Sequence, residues 1–228
     1  MKFKSPMFSQ ASGSIAGTTF AHNRGGLYVR ARSIPTNPNT TFQQAVRTTF
    51  GLLSNLWLNT LTEAQRAGWD NYASLVLIPD SLGEPRNVGG VGMYQRSNTP
   101  RIQAGLPRID DAPSIFNLGD YTAPAIVSIT APTSISLSFD DTDGWANTDD
   151  AGMIVLASRG QNASRNFFKG PYRFAGVILG DSVTPPTSPA AITSPFPLVA
   201  GQRQFIQVRV TQGDGRLATP FRDFDVVV

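Results

Sequence analysis

The chain contains no cysteine and a single histidine, His22, among its 228 residues. Without cysteine it has no disulfide framework, no thiol nucleophile and no cysteine-ligated zinc or iron–sulfur site. One histidine leaves no His-rich metal cage and only one candidate for a His-based proton relay. Glutamate is nearly absent, since Glu63 and Glu84 are its only occurrences. These absences argue against most catalytic sites, so we expect no enzymatic activity, no catalytic residue, no bound metal and no cofactor.

Charge is also scarce, because charged residues make up 15% of the chain, against about 25% in typical soluble domains. Its distribution is uneven: residues 1–108 carry a net charge of +7 and residues 109–228 one of −4, for a total of +3. The change of sign near residues 107–113 predicts a boundary between two differently built halves. Oppositely charged halves also predict that copies of the chain attract one another head to tail.

Turn-forming residues are frequent in the first 38 positions. Two strand-like segments, residues 14–21 and 27–32, flank Asn23-Arg24-Gly25-Gly26, which supplies the residues that a tight turn requires. The pattern predicts a β-hairpin, and an isolated hairpin is not stable in water. We therefore expect residues 1–38 to form an extended basic arm that packs on another part of the chain or on another subunit.

A helical period follows, within residues 39–105. Thr40 and Thr62 each precede a glutamine by three positions, which is a capping-box pattern, and apolar residues recur at helical spacing after each of them. We predict two helices joined by a short connection at residues 59–61 and packed as an antiparallel hairpin. A third, shorter helix is predicted over residues 93–104. The expected core of this domain consists mainly of Phe50, Trp57, Trp69 and Tyr72.

After a predicted linker at residues 106–120 the apolar period changes to two, which is typical of strands. Residues 121–228 contain seven strand candidates, the number expected of an immunoglobulin-like sandwich. They are residues 125–130, 134–139, 152–157, 172–179, 191–193, 204–211 and 224–228. The predicted fold class is α+β: an extended N-terminal β-hairpin arm, a small helical-hairpin domain, and an all-β immunoglobulin- or fibronectin-III-like sandwich.

Two parts of the chain resemble known families. The last predicted hairpin resembles that of a fibronectin type III domain. The residues that carry this resemblance are Leu198 to Thr211, Gly213, Gly215 and Thr219-Pro220. Phe205 stands where that family has its corner tyrosine, so the corner hydrogen bond would be missing. The N-terminal half is similar to a poorly characterised group of phage, prophage and bacterial proteins, on Gly13-x-x-x-Gly17, Arg24-Gly-Gly-x-Tyr-Val-Arg30, Pro35, the Gln43-Gln44 to Phe50 helix, Leu61-Thr-x-x-Gln-Arg-x-x-Trp69, Gly92-x-Tyr-x-x-x-Asn98 and Ala104-Gly-Leu-Pro107. The second resemblance implies a virion-type or other assembly protein, and it assigns no catalytic residue to this chain.

We accordingly expect a virion structural protein, either capsid-associated or a head–tail or tail component, assembled in the host cytoplasm. Its partners would be copies of itself, in a homo-oligomer, and other virion proteins, reached by strand addition or arm exchange. No stretch approaches the roughly 18 apolar residues that cross a bilayer, so no membrane partner is expected. Arginine is favoured at protein interfaces, and the candidate subunit contacts in the arm are Phe20, Arg24, Tyr28, Arg30 and Arg32.

Three alternatives stay open. Six basic residues precede Glu63, the first acidic residue, and with the aromatics between them they could bind nucleic acid, although lysine is scarce. A carbohydrate-binding surface module would use exposed aromatics, here Trp145 and Phe167-Phe168. The acidic run at residues 140–150 is interpreted as a solvated loop. A divalent cation is the alternative there, although the EF-hand pattern fails because Phe139 takes the first ligand position.

Overall fold

The structure is a computed structural model that describes residues 11–23, 26–79 and 84–228. The chain divides into two compact units, residues 1–44 and residues 45–228. The finer division expected from composition, with boundaries after residues 38, 105 and 120, is not tested by this partition and stays a prediction. Within the described ranges, no helix is long and apolar enough to cross a membrane.

The first unit contains a three-stranded antiparallel sheet in the order β1-β2-β3. Its strands are β1 (Gly13–Ile15), β2 (Thr18–Asn23) and β3 (Gly26–Ala31). The β2–β3 hairpin is present as predicted, but the predicted first strand, residues 14–21, is divided in two. A tight turn at Ala16-Gly17 separates the pieces, with Ala16 at a positive φ of 50°. The two small residues allow the chain to reverse there, so the arm is a three-stranded sheet and not a simple hairpin.

Three helices and a short ribbon follow: α1 (Thr41–Asn59), α2 (Glu63–Leu75), the ribbon of β4 (Ile78–Pro79) and β5 (Pro85–Arg86), and α3 (Gly90–Gln103). Both predicted capping boxes are present. The Gln65 backbone N–H donates to Thr62 Oγ1 at 3.2 Å, and the Thr62 N–H donates to Gln65 Oε1 at 2.9 Å. Thr40 and Gln43 make the same two bonds at 3.3 Å. These bonds satisfy N–H groups that have no acceptor within the helix, so both starts are determined locally.

Helix α3 begins earlier than predicted, at Gly90 instead of Met93. Gly90 lies so close to α2 that an added Cβ would be 2.7 Å from the Asp70 backbone nitrogen. Its N–H donates to Asp70 Oδ1 at 3.0 Å. This bond caps α3 from a neighbouring helix, so the start of α3 depends on a tertiary contact that no local pattern reveals.

The helices pack differently from the predicted α1–α2 hairpin. Helix α2 packs along α3, and the Trp69 ring lies edge-on to Tyr94 and Tyr72, with centroids 5.6 and 5.9 Å away. Leu53 is the buried residue of α1, whereas Phe50, expected in this core, is 43% exposed. The hairpin prediction is wrong because the aromatic face of α2 is covered mainly by α3.

Two antiparallel sheets form the rest of the second unit, in the orders β10-β7-β6 and β12-β11-β8-β9. The strands are β6 (Ala125–Thr130), β7 (Ser134–Ser138), β8 (Gly152–Ala157), β9 (Arg173–Leu179), β10 (Ala190–Thr193), β11 (Arg203–Thr211) and β12 (Phe221–Val226). All seven predicted strands occur, although β12 begins three residues earlier than expected. The two sheets share one core, which includes Ile135, Leu137, Met153, Val155, Ile206 and Val208.

The segment predicted as a linker, residues 106–120, lies between the helices and the sheets and bonds to both. The Trp69 Nε1 donates to the Asp110 carbonyl at 2.8 Å, and the Tyr72 hydroxyl donates to the Asn117 carbonyl at 2.6 Å. From the other side, Arg216 Nη1 donates to Asn117 Oδ1. The helices and the sandwich therefore belong to one compact unit.

Arg101 of α3 reinforces this junction from a fully buried position. Its Nε donates to the Pro107 carbonyl at 2.9 Å, and its Nη2 donates to the Asp150 carbonyl at 2.8 Å. Its Nη1 donates to Thr211 Oγ1 and to the Gln212 carbonyl, both at 2.9 Å. Burial lowers the pKa of Arg101, and the four hydrogen bonds offset part of the cost of burying its charge.

The buried tyrosines predict a pH dependence of stability. Burial raises the pKa of Tyr72 from 10.0 to about 12, so above pH 10 the folded protein keeps a proton that the unfolded chain loses. The contribution of Tyr72 to the free energy of unfolding is therefore complete below pH 10 and is lost as the pH rises toward 12. Between about pH 9 and about pH 11, we expect Tyr72→Phe to lose less stability than the wild type, measured by urea unfolding. Equal losses in the two proteins would contradict this assignment.

Candidate functional site

The sheet β1–β3 holds the candidate contact residues that were chosen from the sequence. Its register pairs Phe20 with Val29, Ala21 with Tyr28, and Thr19 with Arg30. Directly paired residues lie on the same face of an antiparallel sheet, and successive residues alternate between faces. Tyr28 and Arg30 therefore share one face, and Phe20 lies on the opposite face.

The remaining two candidates are less closely grouped. Arg32 follows the last residue of β3, and its backbone N–H donates to the Gly17 carbonyl at 2.8 Å, which ties it to the turn between β1 and β2. Arg24 lies outside the described residues. The structure thus brings Tyr28 and Arg30 together on one face and does not gather all five residues into a single patch.

Burial distinguishes this sheet from the rest of the protein. No side chain described between residues 11 and 38 is fully buried: Arg30 and Arg32 are exposed, and Phe20 and Tyr28 are half-buried. Ile15 and Ile34 are 72% and 78% exposed. Among the described strands, β3 is the last of this sheet and pairs with β2, and a strand at the edge of a sheet is where a further strand is added.

The acidic run between β7 and β8 uses several of its carboxylates within the chain. Asp140 Oδ1 accepts hydrogen bonds from the Thr142 N–H and hydroxyl at 2.9 and 2.6 Å, and these bonds lower the pKa of Asp140. Asp143 Oδ2 accepts from the Thr122 N–H at 2.8 Å. Across the described ranges, no group of three or more histidine, aspartate or glutamate side chains is placed to hold a metal ion. These hydrogen bonds fit the interpretation of an ordered, solvated loop.

Trp145, a candidate sugar platform in the carbohydrate alternative, is fully buried. Its ring packs 5.3 Å from that of Phe139, and its Nε1 donates to Asp143 Oδ2 at 3.2 Å. A buried ring cannot stack on a sugar, so the platform predicted from Trp145 is wrong. Its place in a polar, acidic stretch suggested exposure, whereas the neighbouring Phe139 and Ala146 accompany it into the sandwich core.

The loop between β8 and β9, residues 158–172, presents an aromatic side chain in a basic surrounding. Phe167 is 73% exposed. Its carbonyl accepts from Arg165 Nε at 2.9 Å, and the adjacent Phe168 is buried and stacks on Phe205, with ring centroids 5.4 Å apart. The exposed ring is thus held next to an anchored one. Arg159, Arg165 and Lys169 give this loop three positive charges and no negative one.

An aromatic cluster that the sequence analysis missed adjoins this loop on the outer face of the four-stranded sheet. Phe205 of β11 and Phe224 of β12 lie opposite each other, with centroids 5.1 Å apart. The guanidinium of Arg203 lies 4.6 Å above the Phe224 ring, a cation–π distance. Side chains of β11 alternate between the two faces of the sheet. Ile206, Val208 and Val210 point into the core, so Arg203 and Phe205 lie on the outer face, and this pattern could have been found in the sequence.

The two charged loops lie at opposite ends of β8. The acidic loop, residues 140–150, precedes Gly152 and carries five aspartates, whereas the basic loop, residues 158–172, follows Ala157. The β9–β10 loop adds Asp181 at the acidic end, since Leu179 pairs with Gly152. The sandwich therefore has an acidic end and a basic, aromatic end. The sequence predicted only a difference in net charge between residues 1–108 and residues 109–228.

No family model and no curated protein matches this chain. Among solved structures, the solution structure of a fibronectin type III domain derived from the human KIAA0970 protein aligns with a TM-score of 0.31 at 13% sequence identity. The alignment covers 49% of this chain and 74% of that domain. Similarity at this level carries neither a function nor a binding residue over to this chain.

Proposed function

We propose that this protein is a non-catalytic virion structural subunit, capsid-associated or a head–tail or tail component, that assembles with copies of itself through its N-terminal sheet. One observation carries the proposal: the sheet β1–β3 contains no fully buried side chain among its described residues. A sheet this small needs a hydrophobic face packed against another element to be stable. The virion context rests on the resemblance of the motifs in residues 13–107 to those of phage and prophage proteins.

The sheet offers a partner two complementary features. Strand addition at β3 would supply backbone hydrogen bonds, and the face that carries Tyr28 and Arg30 supplies a ring and a planar cation, both favoured at interfaces. Strand addition by itself gives affinity with little specificity, whereas side chains on one face determine which partner fits. We infer that the two act together at a subunit contact.

The sandwich belongs to the same proposal as a module of the fibronectin type III or immunoglobulin class. Seven antiparallel strands are divided three and four between its sheets, with the fourth strand of the sandwich, β9, at the edge of the larger sheet. Such sandwiches commonly serve as binding and spacing modules. Its acidic and basic ends favour head-to-tail contacts between copies, because like ends repel and unlike ends attract.

Removing the N-terminal sheet tests the assembly role. We expect deletion of residues 1–34 to leave a folded monomer, since the unit formed by residues 45–228 keeps its core, while the full chain forms a multi-subunit species. Light scattering after size-exclusion chromatography measures the mass, and circular dichroism verifies the fold. Arg30→Glu should weaken assembly at least tenfold, whereas Arg86→Glu, an exposed arginine outside the sheet, serves as the matched control.

An unchanged mass after the deletion would overturn the assembly role of the sheet. Nucleic acid is the competing partner of the basic N-terminal residues, and it gives a different result. If the sheet binds DNA, retention on DNA falls steeply as salt increases and disappears with the deletion, while the mass in the absence of DNA does not change.

A further inference from the structure

A cavity of about 290 Å³ lies between α3 and the outer face of the four-stranded sheet. Its apolar lining comes from Phe50, Pro100, Ile154, Leu156 and Phe174. At about 30 Å³ for each water in the liquid, this is the volume of roughly ten waters, which is enough for a phenyl ring that bears a short polar group. The cavity lies entirely within the second unit and takes no part in the proposed subunit contact.

The alternation of β11 places two polar residues on the floor of the cavity. Ile206, Val208 and Val210 fill the sandwich core, so Gln207 and Arg209 lie on the opposite face, where Arg209 pairs with Ile154. Helix α3 covers this face and adds Arg96 and Thr99 to the lining, three positions apart and hence on one side of the helix. Two arginines from distant parts of the sequence thus meet in a largely apolar site.

Neither arginine has a carboxylate partner among the residues that the structure describes. The Arg209 side chain makes no hydrogen bond or ion pair there, and its Nε is buried without an acceptor. Arg96 makes one long bond, from Nη2 to the Ala218 carbonyl at 3.5 Å, and its Nη1 is buried without an acceptor. The Thr99 hydroxyl, also buried, lacks a partner as well. The wall of the cavity therefore has a surplus of hydrogen-bond donors.

The electrostatics of the pair reinforce this geometry. Burial, together with the positive charge of Arg209, lowers the pKa of Arg96 to about 10. Burial and the charge of Arg222 lower the pKa of Arg209. Both groups stay protonated at neutral pH, so two like charges are held in a poorly solvated site with no counter-charge. A bound anion would offset the desolvation and the repulsion at once.

We propose that this cavity is a binding site for a carboxylate carried on an apolar stem, with Arg96, Arg209 and Thr99 as the donors to the carboxylate. The guanidinium fork matches the two oxygens of a carboxylate, and the apolar lining favours an attached ring or aliphatic chain over a bare inorganic anion. Such a carboxylate occurs both in small aromatic or fatty acids and in an acidic side chain flanked by apolar residues.

Thermal unfolding of the full-length protein with matched probes tests the site. Phenylacetate should raise Tm with saturation, by roughly 3–6 °C at about ten times its Kd. Phenylacetamide, which has the same shape without the charge, and inorganic phosphate, which has the charge without the ring, should raise it far less. Isothermal titration calorimetry with the blocked peptide acetyl-Phe-Glu-Phe-amide distinguishes the sources: binding at least tenfold tighter than that of phenylacetate indicates a protein segment, and weaker binding indicates a small acid.

Arg209→Met removes one charge and keeps an apolar side chain. This variant should unfold at a higher temperature than the wild type without ligand, because the repulsion is gone, and it should lose the response to phenylacetate. Arg86→Met, at an exposed position, should keep that response. The proposal is overturned if phenylacetate gives no saturable shift in the wild type, if phenylacetamide acts equally well, or if Arg209→Met responds like the wild type. The first two outcomes do not depend on whether the variant folds.

Discussion

Replacing Arg101 with methionine is expected to lower the free energy of unfolding by about 3–5 kcal/mol, because four hydrogen bonds from one buried guanidinium are lost together. The loss arises because the Pro107 and Asp150 carbonyls lose the donor that satisfies them, whereas the Gln212 carbonyl keeps the Gly215 N–H at 3.0 Å. Each buried group without a partner costs about 1–3 kcal/mol, and relief of the buried charge offsets part of the sum. Urea unfolding followed by circular dichroism measures the change.

Two controls separate the geometry of Arg101 from its charge. Arg101→Lys keeps the charge but cannot reach acceptors on three sides, so we expect it to recover less than half of the lost stability. Arg86→Met should change stability by less than about 0.5 kcal/mol, as is usual for exposed positions. If Arg101→Met stays within about 1 kcal/mol of the wild type, the junction between helices and sandwich does not depend on this side chain.

Trp69→Ala is expected to lower the free energy of unfolding by a comparable amount, about 3–5 kcal/mol. The Trp69 side chain is fully buried, contacts the rings of Tyr72 and Tyr94, and donates to the Asp110 carbonyl at 2.8 Å. Truncation opens a cavity at the point where α2, α3 and the segment 106–120 meet. Urea unfolding followed by far-ultraviolet circular dichroism measures the loss.

The matched control is Leu58→Ala, on the exposed side of α1, which should change stability by no more than about 0.5 kcal/mol. Trp69→Phe keeps most of the ring and loses the hydrogen bond, so its cost should lie between the two. A cost for Trp69→Ala as small as that of Leu58→Ala would show that the aromatic cluster does not hold the helices together.

The candidate contact residues show how far local patterns lead. Tyr28 and Arg30 are two positions apart, so alternation along a single strand puts them on one face. The face of Phe20 relative to theirs depends on the register between β2 and β3, which a single strand does not set. The register and the turn at Ala16-Gly17 are set by the pairing of strands. Residues 14–21 look like one continuous strand in the sequence, so neither feature could be predicted from them.

The carboxylate site could not have been predicted from the sequence. Arg96 lies in a helical pattern and Arg209 in a strand pattern, and each alone suggests a solvent-exposed residue. Only the packing of α3 on the outer face of the sheet brings them to one cavity. Trp145 shows the reverse error. Its polar, acidic neighbours are typical of an exposed loop, but its side chain is fully buried.

The absence of cysteine excludes thiol chemistry, and the scarcity of histidine and glutamate argues against most metal sites. The two capping boxes and the seven strands of the sandwich could be predicted from the sequence, because they depend on residues within a few positions of one another. Tertiary contacts determine that α3 covers more of α2 than α1 does, where α3 begins, and which buried donors in the cavity between α3 and the sheet have no acceptor. These outcomes depend on contacts between residues far apart in the chain, and such contacts follow from shape and burial, which no local period records.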